Sequence, residues 1–137
     1  MSKISGPLLD RIDICTEVSP VEYKKLEQAE QVENSETVRE RVNKARQIQL
    51  ARFKDDNIFS NSELTPKLTE KYCKLDNESK EILEKAFNRL NLSARAYGRI
   101  LKVARTIADL AGSKNIEKVH IAEAIQYRSI DKKYWRN

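Results

Sequence analysis

The sequence predicts an all-α protein: a bundle of four to five helices preceded by a short extended segment. The chain has only three glycines and three prolines in 137 residues, which is too few turn-forming residues for a sandwich or barrel of many short strands. From residue 35 onward, apolar residues recur at helical spacing. That pattern is typical of amphipathic helices packed around one core.

The first twenty residues differ from the rest of the chain. Within them, the run over residues 12–18 (IDICTEV) alternates apolar and polar side chains, as a half-buried strand does. A lone strand cannot pair its backbone. We therefore expect residues 1–20 to be the last piece of a core domain whose other strands lie outside this sequence. A polar connector over residues 21–34, either a loop or a loosely held helix, leads to the helical domain of residues 35–137.

The first two helices have clear start signals. The first begins at Ser35, after a cap at Asn34 or at Ser35 itself. A threonine–proline pair, Thr65-Pro66, caps a second, short helix that ends near Cys73. The inner face of the first helix is predicted to be apolar: Val38, Val42, Ala45, Ile48 and Phe53.

Three more helices follow. Asp76 or Asn77 starts the third, which ends at Asn91, and Ser93 caps the fourth, which ends at Gly112. At about 100° per residue, one wide arc of the fourth helix is apolar and the opposite arc is nearly all basic: Arg95, Arg99, Lys102 and Arg105, with Asp109. The last helix covers residues 120–127, where His120 caps the helix or faces solvent and has no assigned role.

The composition excludes several classes of protein. The net charge is +5, and because acidic and basic residues are interleaved, it fits a solvated helical surface as well as a polyanion-binding one. Cys15, Cys73 and His120 are too few and too scattered for a zinc site or a disulfide framework. No apolar run approaches the roughly 20 residues that span a bilayer. We expect a cytoplasmic protein that binds no metal and no membrane.

The sequence contains no recognisable catalytic motif. Its glycines stand at positions 6, 98 and 112, and none belongs to the Gly-rich loop that wraps phosphates in a P-loop. It also lacks a nucleophile elbow and a histidine paired with serine or cysteine in a known motif. We therefore expect these 137 residues not to be an enzyme by themselves.

Arginines are the remaining candidates, because their planar fork suits phosphate oxygens. Arg11 either reaches a phosphate on a neighbouring subunit or pairs with Asp10 or Asp13. Arg95, in the first turn of the fourth helix, either clamps a phosphate at that helix N-terminus or is simply solvated. From spacing alone, the second alternative is the commoner for both residues. The other basic residues of the arc either contact nucleic acid or a neighbouring subunit, or form an ordinary solvated surface. They are Arg99, Lys102 and Arg105.

Three segments resemble the C-terminal part of magnesium-chelatase-like AAA+ ATPases, and within them the ComM/YifB competence-type group. They are residues 5–14 (SGPLLDRIDI), 92–110 (LSARAYGRILKVARTIADL) and 120–128 (HIAEAIQYR). The resemblance extends from Ser5 to Trp135. It departs from the family at Cys15, where relatives often carry histidine.

The resemblance implies that the chain is a lid domain whose nucleotide-binding core, with the Walker and sensor-1 motifs, lies upstream. It implies that Arg11 is an arginine finger acting in trans, and that Arg95 is a sensor-2 arginine contacting the γ-phosphate of its own or a neighbour's ATP. The full-length protein would use ATP with Mg²⁺, whereas the fragment alone would bind neither. The implied partners are the missing core and the neighbouring subunits of a homo-hexameric ring, and the implied substrate is DNA.

Two alternatives to an ATPase lid stay open at the level of the sequence. The first is a stand-alone helical nucleic-acid-binding module that uses the basic arc. The absence of a helix-turn-helix pattern and the extended N-terminal segment count against it. The second is a chelatase-type partner subunit, although nothing in the sequence is suited to recognise a porphyrin.

Overall fold

The computed structural model describes Leu8, residues 11–20 and residues 33–135, with side chains described as far as Arg128. Five α-helices and one 3₁₀ helix form within these ranges, whereas no strand does. The prediction of an all-α bundle of four to five helices is therefore confirmed. The helices are α1 (Ser35–Arg52), the 3₁₀ helix (Asn61–Glu63), α2 (Pro66–Tyr72), α3 (Asn77–Arg89), α4 (Ala94–Leu110) and α5 (Lys118–Trp135).

Side-chain caps start the first four α-helices at the predicted positions. Asn34, Thr65, Asp76 and Ser93 each accept a hydrogen bond from the backbone N–H three residues further on, at 2.8, 3.4, 2.7 and 3.1 Å respectively. Such a cap satisfies one of the N–H groups that a helix leaves unpaired, and it contributes about 1 kcal/mol. The local sequence therefore determines where these helices begin.

A glycine ends α4, also as predicted. Gly112 has φ +68°, a left-handed conformation that costs glycine little because it has no Cβ. The N–H of Gly112 donates to the carbonyl of Asp109 at 3.1 Å, and that of Ser113 donates to the carbonyl of Ala108 at 2.8 Å. These two bonds form a Schellman motif, which pairs carbonyls that the helix end would otherwise leave open.

Helix α4 lies at the centre of the bundle. It packs against α1, α2, α5 and the 3₁₀ helix, and α3 packs against α5. A parallel bridge between Leu75 and Ile116 joins the segments that precede α3 and α5. Small residues on α4 let neighbouring helices approach closely. The core includes the almost fully buried residues Phe53, Ile100, Ala104, Ala108, Ile116 and Ile121.

The predicted inner face of α1 is only partly correct. Ala45 and Phe53 are buried and Ile48 is half-buried, but Val38 and Val42 are 37% and 45% exposed. Every residue from 35 to 44 is exposed. The N-terminal half of α1 therefore extends beyond the described part of the bundle, and periodicity alone could not show where the packing stops.

Helix α5 is longer than predicted. It begins at Lys118 and continues to Trp135, whereas the apolar pattern predicted only residues 120–127. His120 lies inside its first turn and is buried, and its Nδ1 atom accepts the N–H of Glu117 at 3.0 Å. Of the two open alternatives, His120 caps the helix, from within its first turn, and does not face solvent.

The strand expected over residues 12–18 does not form in the described segment 11–20. That segment instead lies against α4 and α5. The N–H of Cys15 donates to the carbonyl of Tyr127 at 3.1 Å, and the guanidinium of Arg128 donates to the carbonyl of Ile12. An alternating sequence becomes a strand only where another strand pairs with it. Most of the predicted connector, residues 21–32, lies outside the described residues.

A buried polar cluster corrects the predicted basic arc of α4. Arg105 and Asp109 were expected on the outer surface, but they are only 2% and 1% exposed. Nε of Arg105 donates to Asp109 at 3.1 Å. Arg52, at the end of α1, makes a two-pronged ion pair with the same carboxylate, and Nδ2 of Asn61 donates to it at 2.8 Å. The prediction of an exposed basic surface is wrong at Arg105.

The cluster joins elements that are distant in the sequence. The guanidinium of Arg105 also donates to the carbonyls of Ser113 and Lys114, at 2.8 and 3.0 Å, in the loop between α4 and α5. Burial by itself raises the pKa of Asp109, but the hydrogen bonds from Arg52 and Asn61 and the charge of Arg105 outweigh it and hold that pKa below its usual value. Asp109 is therefore ionised at neutral pH and satisfies its buried donors.

Replacing Asp109 with asparagine leaves the buried guanidinium of Arg105 and the partly buried guanidinium of Arg52 without a carboxylate. We expect Asp109→Asn to lower the free energy of unfolding by about 3–5 kcal/mol, the range for breaking one side of a buried ion pair. Urea denaturation followed by circular dichroism measures it. Glu81→Gln is the matched control, because Glu81 forms an exposed pair with Lys85 at 3.9 Å and such pairs contribute little. Equal effects of the two substitutions would contradict the central role of Asp109.

The same carboxylate predicts how stability depends on pH. The pKa of Asp109 is lower in the folded chain than its ordinary value of 3.8, so its contribution is complete above that value and is lost as the pH falls through the folded pKa. We expect the stability difference between the wild type and Asp109→Asn to be constant near neutrality and to shrink below about pH 4. Urea denaturation across an acid pH series measures this, and a difference that grows on acidification would contradict it.

Candidate functional site

The N-terminus of α4 favours anions, and its first turn contains no acidic side chain. Ser93 satisfies one N–H of the first turn, and the remaining N–H groups of that turn have no partner within the helix. No acidic residue lies in the first turn. The positive end of the helix dipole is therefore not offset locally.

Arg95 adds a full positive charge to this helix end. Its side chain is exposed, and it forms no ion pair with any other residue that the structure describes. A guanidinium in this position can meet phosphate oxygens without first breaking an internal interaction. The role of Arg95 in sensing ATP stays a prediction, since nothing in the fold alone tests it.

Arg11 is the second predicted site residue, and its side chain is also exposed. Its backbone, by contrast, is held at both ends: its N–H donates to the carbonyl of Leu8 at 2.9 Å, and its own carbonyl accepts from Arg99 at 2.8 Å. Of the two predicted pairing alternatives, Asp13 pairs with Arg99 instead, and Asp10 lies outside the described residues. Arg11 thus presents its guanidinium to the exterior from an anchored backbone.

A groove of about 930 Å³ lies between α2, α4, α5 and the segment of residues 11–20. The structure brings several of the predicted residues to its wall, namely Arg95, Arg99 and Lys102, together with Asp13 and Tyr127. The hydroxyl of Tyr127 donates to Glu123 at 3.1 Å, and this hydrogen bond raises the pKa of Tyr127. Three basic side chains therefore share one open groove with three acidic residues, Asp13, Glu70 and Glu123, which moderate its charge.

The other predicted basic residues are engaged within the protein. Arg99 binds Asp13 and the carbonyl of Arg11, Lys102 donates to the carbonyl of Ser62 at 2.9 Å, and Arg105 is buried. A surface that reads nucleic acid needs cations free to meet phosphates. Arg95 is the member of the predicted arc that the described contacts leave open.

The nucleophilic and metal-binding chemistry of the described residues is limited. Cys73 is buried, and burial raises the pKa of its thiol to about 11, so it stays protonated at neutral pH and is a poor nucleophile. Among the residues that the structure describes, no three His, Cys, Asp or Glu side chains are grouped so that they could hold a metal ion. No helix in those ranges is long and apolar enough to cross a membrane.

Two important residues were missed by the sequence analysis. Arg128 was not singled out, although its buried guanidinium holds the carbonyl of Ile12, and Arg52 was not recognised as a partner of Asp109. The four-residue spacing of Arg105 and Asp109 was a usable signal, because residues so spaced on a helix lie next to each other and can pair.

Comparison with known protein families now places the chain. It belongs to the family described as magnesium chelatase, subunit ChlI, C-terminal, whose model matches residues 32–128. This match covers α1 to most of α5, so the family domain is the helical bundle. The expected kinship with magnesium-chelatase-like proteins is confirmed.

Individual relatives agree with the family assignment. The chain is similar to the competence protein ComM of Haemophilus influenzae, with 45% identity over 131 residues, which is 95% of this chain and 25% of the relative. It is also similar to the YifB protein of Escherichia coli (40% identity over 134 residues, 96% of this chain) and to the YifB protein of Salmonella typhimurium (38% over 133 residues, 96%). The chain spans about a quarter of the length of these relatives.

The contact between Arg99 and the N-terminal segment predicts a measurable change in backbone protection. We expect Arg99→Ala to speed hydrogen exchange at the Cys15 amide, because that amide is protected only while the segment lies on α5. Exchange measured by NMR or mass spectrometry tests this. Lys102→Ala is the control, since Lys102 bonds to Ser62 rather than to the segment. Unchanged exchange in Arg99→Ala would show that the other contacts suffice.

Proposed function

We propose that this chain is the lid domain of an AAA+ ATPase and that Arg11 and Arg95 act on ATP at the junctions between subunits. The observation that carries the proposal is that both guanidinium groups are exposed and unpaired among the described residues, while the neighbouring cations Arg99 and Arg105 are committed to internal contacts. Membership of the magnesium chelatase C-terminal family supports it.

Arg95 acts as the sensor-2 residue in this proposal. Its guanidinium, at the positive end of α4, binds oxygens of the terminal phosphate and offsets negative charge that develops during hydrolysis. The cap at Ser93 and the packing of Ala96 and Ile100 hold the first turns of α4 in place. Charge stabilisation is most effective when the charged group is held in position beforehand, and these contacts provide that.

Arg11 acts as the arginine finger. Extending from an anchored backbone, its side chain enters the nucleotide site of the adjacent subunit and stabilises charge on the transferred phosphoryl group. ATP with Mg²⁺ supplies the reactive phosphate in the full-length protein, and an upstream core domain supplies the phosphate-binding loop. In this proposal, the lid contributes positive charge and does not itself contain the whole catalytic site.

The assembly that we propose is a homo-hexameric ring in the cytoplasm. An arginine finger in trans requires a neighbouring subunit, and a rigid lid can transmit the state of the nucleotide to the ring as a rigid-body movement. The extent of the relatives, about four times that of this chain, leaves room for a core domain in the parent protein.

The substrate that we propose for the ring is DNA. Similarity to a protein named for competence and the net charge of +5 support this choice. The contacts of Arg99, Lys102 and Arg105 argue that DNA would meet the parent protein mainly outside α4. A chelatase-type partner role ranks lower, because nothing in the groove is specific for a porphyrin.

ATP hydrolysis by the full-length chain tests the proposal. We expect Arg95→Ala to reduce kcat for ATP by about 10²-fold, the loss typical of one charge-stabilising donor, and Arg11→Ala to reduce it by about 10³-fold or more. Lys85→Ala is the matched control, because Lys85 is an exposed cation on α3 with only a long pair to Glu81. Wild-type activity in both arginine variants, with assembly intact by light scattering, would exclude this function.

A further inference from the structure

Arg99 connects the two candidate catalytic arginines. It follows Arg95 by one turn of α4, and its Nη1 atom donates to the carbonyl of Arg11 at 2.8 Å and to the carboxylate of Asp13. We propose that Arg99 is a positioning residue, which fixes the backbone of Arg11 on α4 so that the finger and the sensor are held by one rigid body. The inference rests on the proposed function and adds to it the way in which the finger is aimed.

The N-terminal segment is attached to the lid at three places. Arg99 on α4 holds residues 11 and 13, Arg128 on α5 holds the carbonyl of Ile12, and the carbonyl of Tyr127 accepts the N–H of Cys15. Within residues 11–15, four of the five residues are therefore bound to α4 or α5, through the backbone or through a carboxylate. A chain held at such short intervals keeps little freedom, so a shift of α4 carries Arg11 with it.

The chemistry of the Arg99 contact suits positioning rather than overall stability. The side chain of Arg99 is 25% exposed and that of Asp13 is 56% exposed, so water screens the ion pair and its net strength is small. Its geometry is nevertheless directional, because the Nη1 atom of Arg99 donates both to a carbonyl and to a carboxylate two residues apart. A contact of this kind can orient Arg11 while the buried core of the bundle holds without it.

The bond from Arg99 to the backbone also explains why it cannot act as the predicted free cation. Its charge is directed into the segment that carries Arg11 and away from an external polyanion. Arg95, one turn earlier, remains open to phosphate. Two arginines on one helix thus have different tasks: the first meets the ligand and the second holds the segment from which the finger extends.

The experiment is a double-mutant cycle on ATP hydrolysis by the full-length ring, with Arg11→Ala, Arg99→Ala and the double variant. We expect Arg99→Ala to lower kcat by about 10- to 100-fold, as misplacement of a catalytic group by an ångström does, with little change in KM for ATP. If Arg99 acts through Arg11, the double variant is no slower than Arg11→Ala alone. Two independent effects would multiply instead.

Further variants separate positioning from misfolding. Asp13→Ala removes one partner of Arg99 at an exposed position of the segment, without touching the helical bundle, and we expect a smaller fall in kcat of the same kind. Arg99→Lys keeps the charge but places it on a flexible stem without the planar guanidinium, so we expect it to recover only part of the rate. Circular dichroism and light scattering confirm that each variant folds and assembles.

The outcomes distinguish this inference from the proposed function. If Arg11→Ala slows hydrolysis but Arg99→Ala does not, or if their effects multiply in the double variant, the positioning role of Arg99 is overturned and the finger stands. If Arg11→Ala leaves kcat unchanged, the finger assignment fails, and the positioning role fails with it. A rise in KM without a fall in kcat for Arg99→Ala would instead indicate direct binding of nucleotide by Arg99.

Discussion

The buried carboxylate of Asp109 is the interaction on which the rest of this fold depends. Arg52, Asn61 and Arg105 all donate to it, and they come from the end of α1, the 3₁₀ helix and α4. A buried charge is costly unless it is paired and hydrogen-bonded, so these four residues are stable only together. Their mutual dependence fixes how α1 and the 3₁₀ helix meet the central helix.

The cluster also defines the outer surface of α4. With Arg105 directed inward and its guanidinium bound to the loop carbonyls of Ser113 and Lys114, the C-terminal half of α4 is committed to the bundle. Both halves of the helix line the groove, and Arg95 lies exposed at the N-terminal end. One end of a single helix therefore stabilises the domain, while the other is available for a ligand.

This division favours a lid over a stand-alone nucleic-acid-binding module. A nucleic-acid-binding surface relies on several unpaired cations along one face. Among the predicted basic residues of α4, the described contacts leave Arg95 unpaired. A few charged groups held at defined points are instead what phosphoryl transfer needs. The domain's family membership and its arginines thus point in the same direction, through independent observations.

The sequence by itself determined the class of fold, the starts of α1 to α4 and the end of α4 at Gly112. The helix starts and this helix end depend on contacts between residues three to five positions apart, such as that between Ser93 and Ala96. Only the tertiary structure decided which arginines are free. Arg52 and Asp109 are 57 positions apart, and Arg99 and Asp13 are 86 apart, so no local pattern encodes their pairing. A helical wheel assigns an angle to each side chain, whereas burial depends on what packs there.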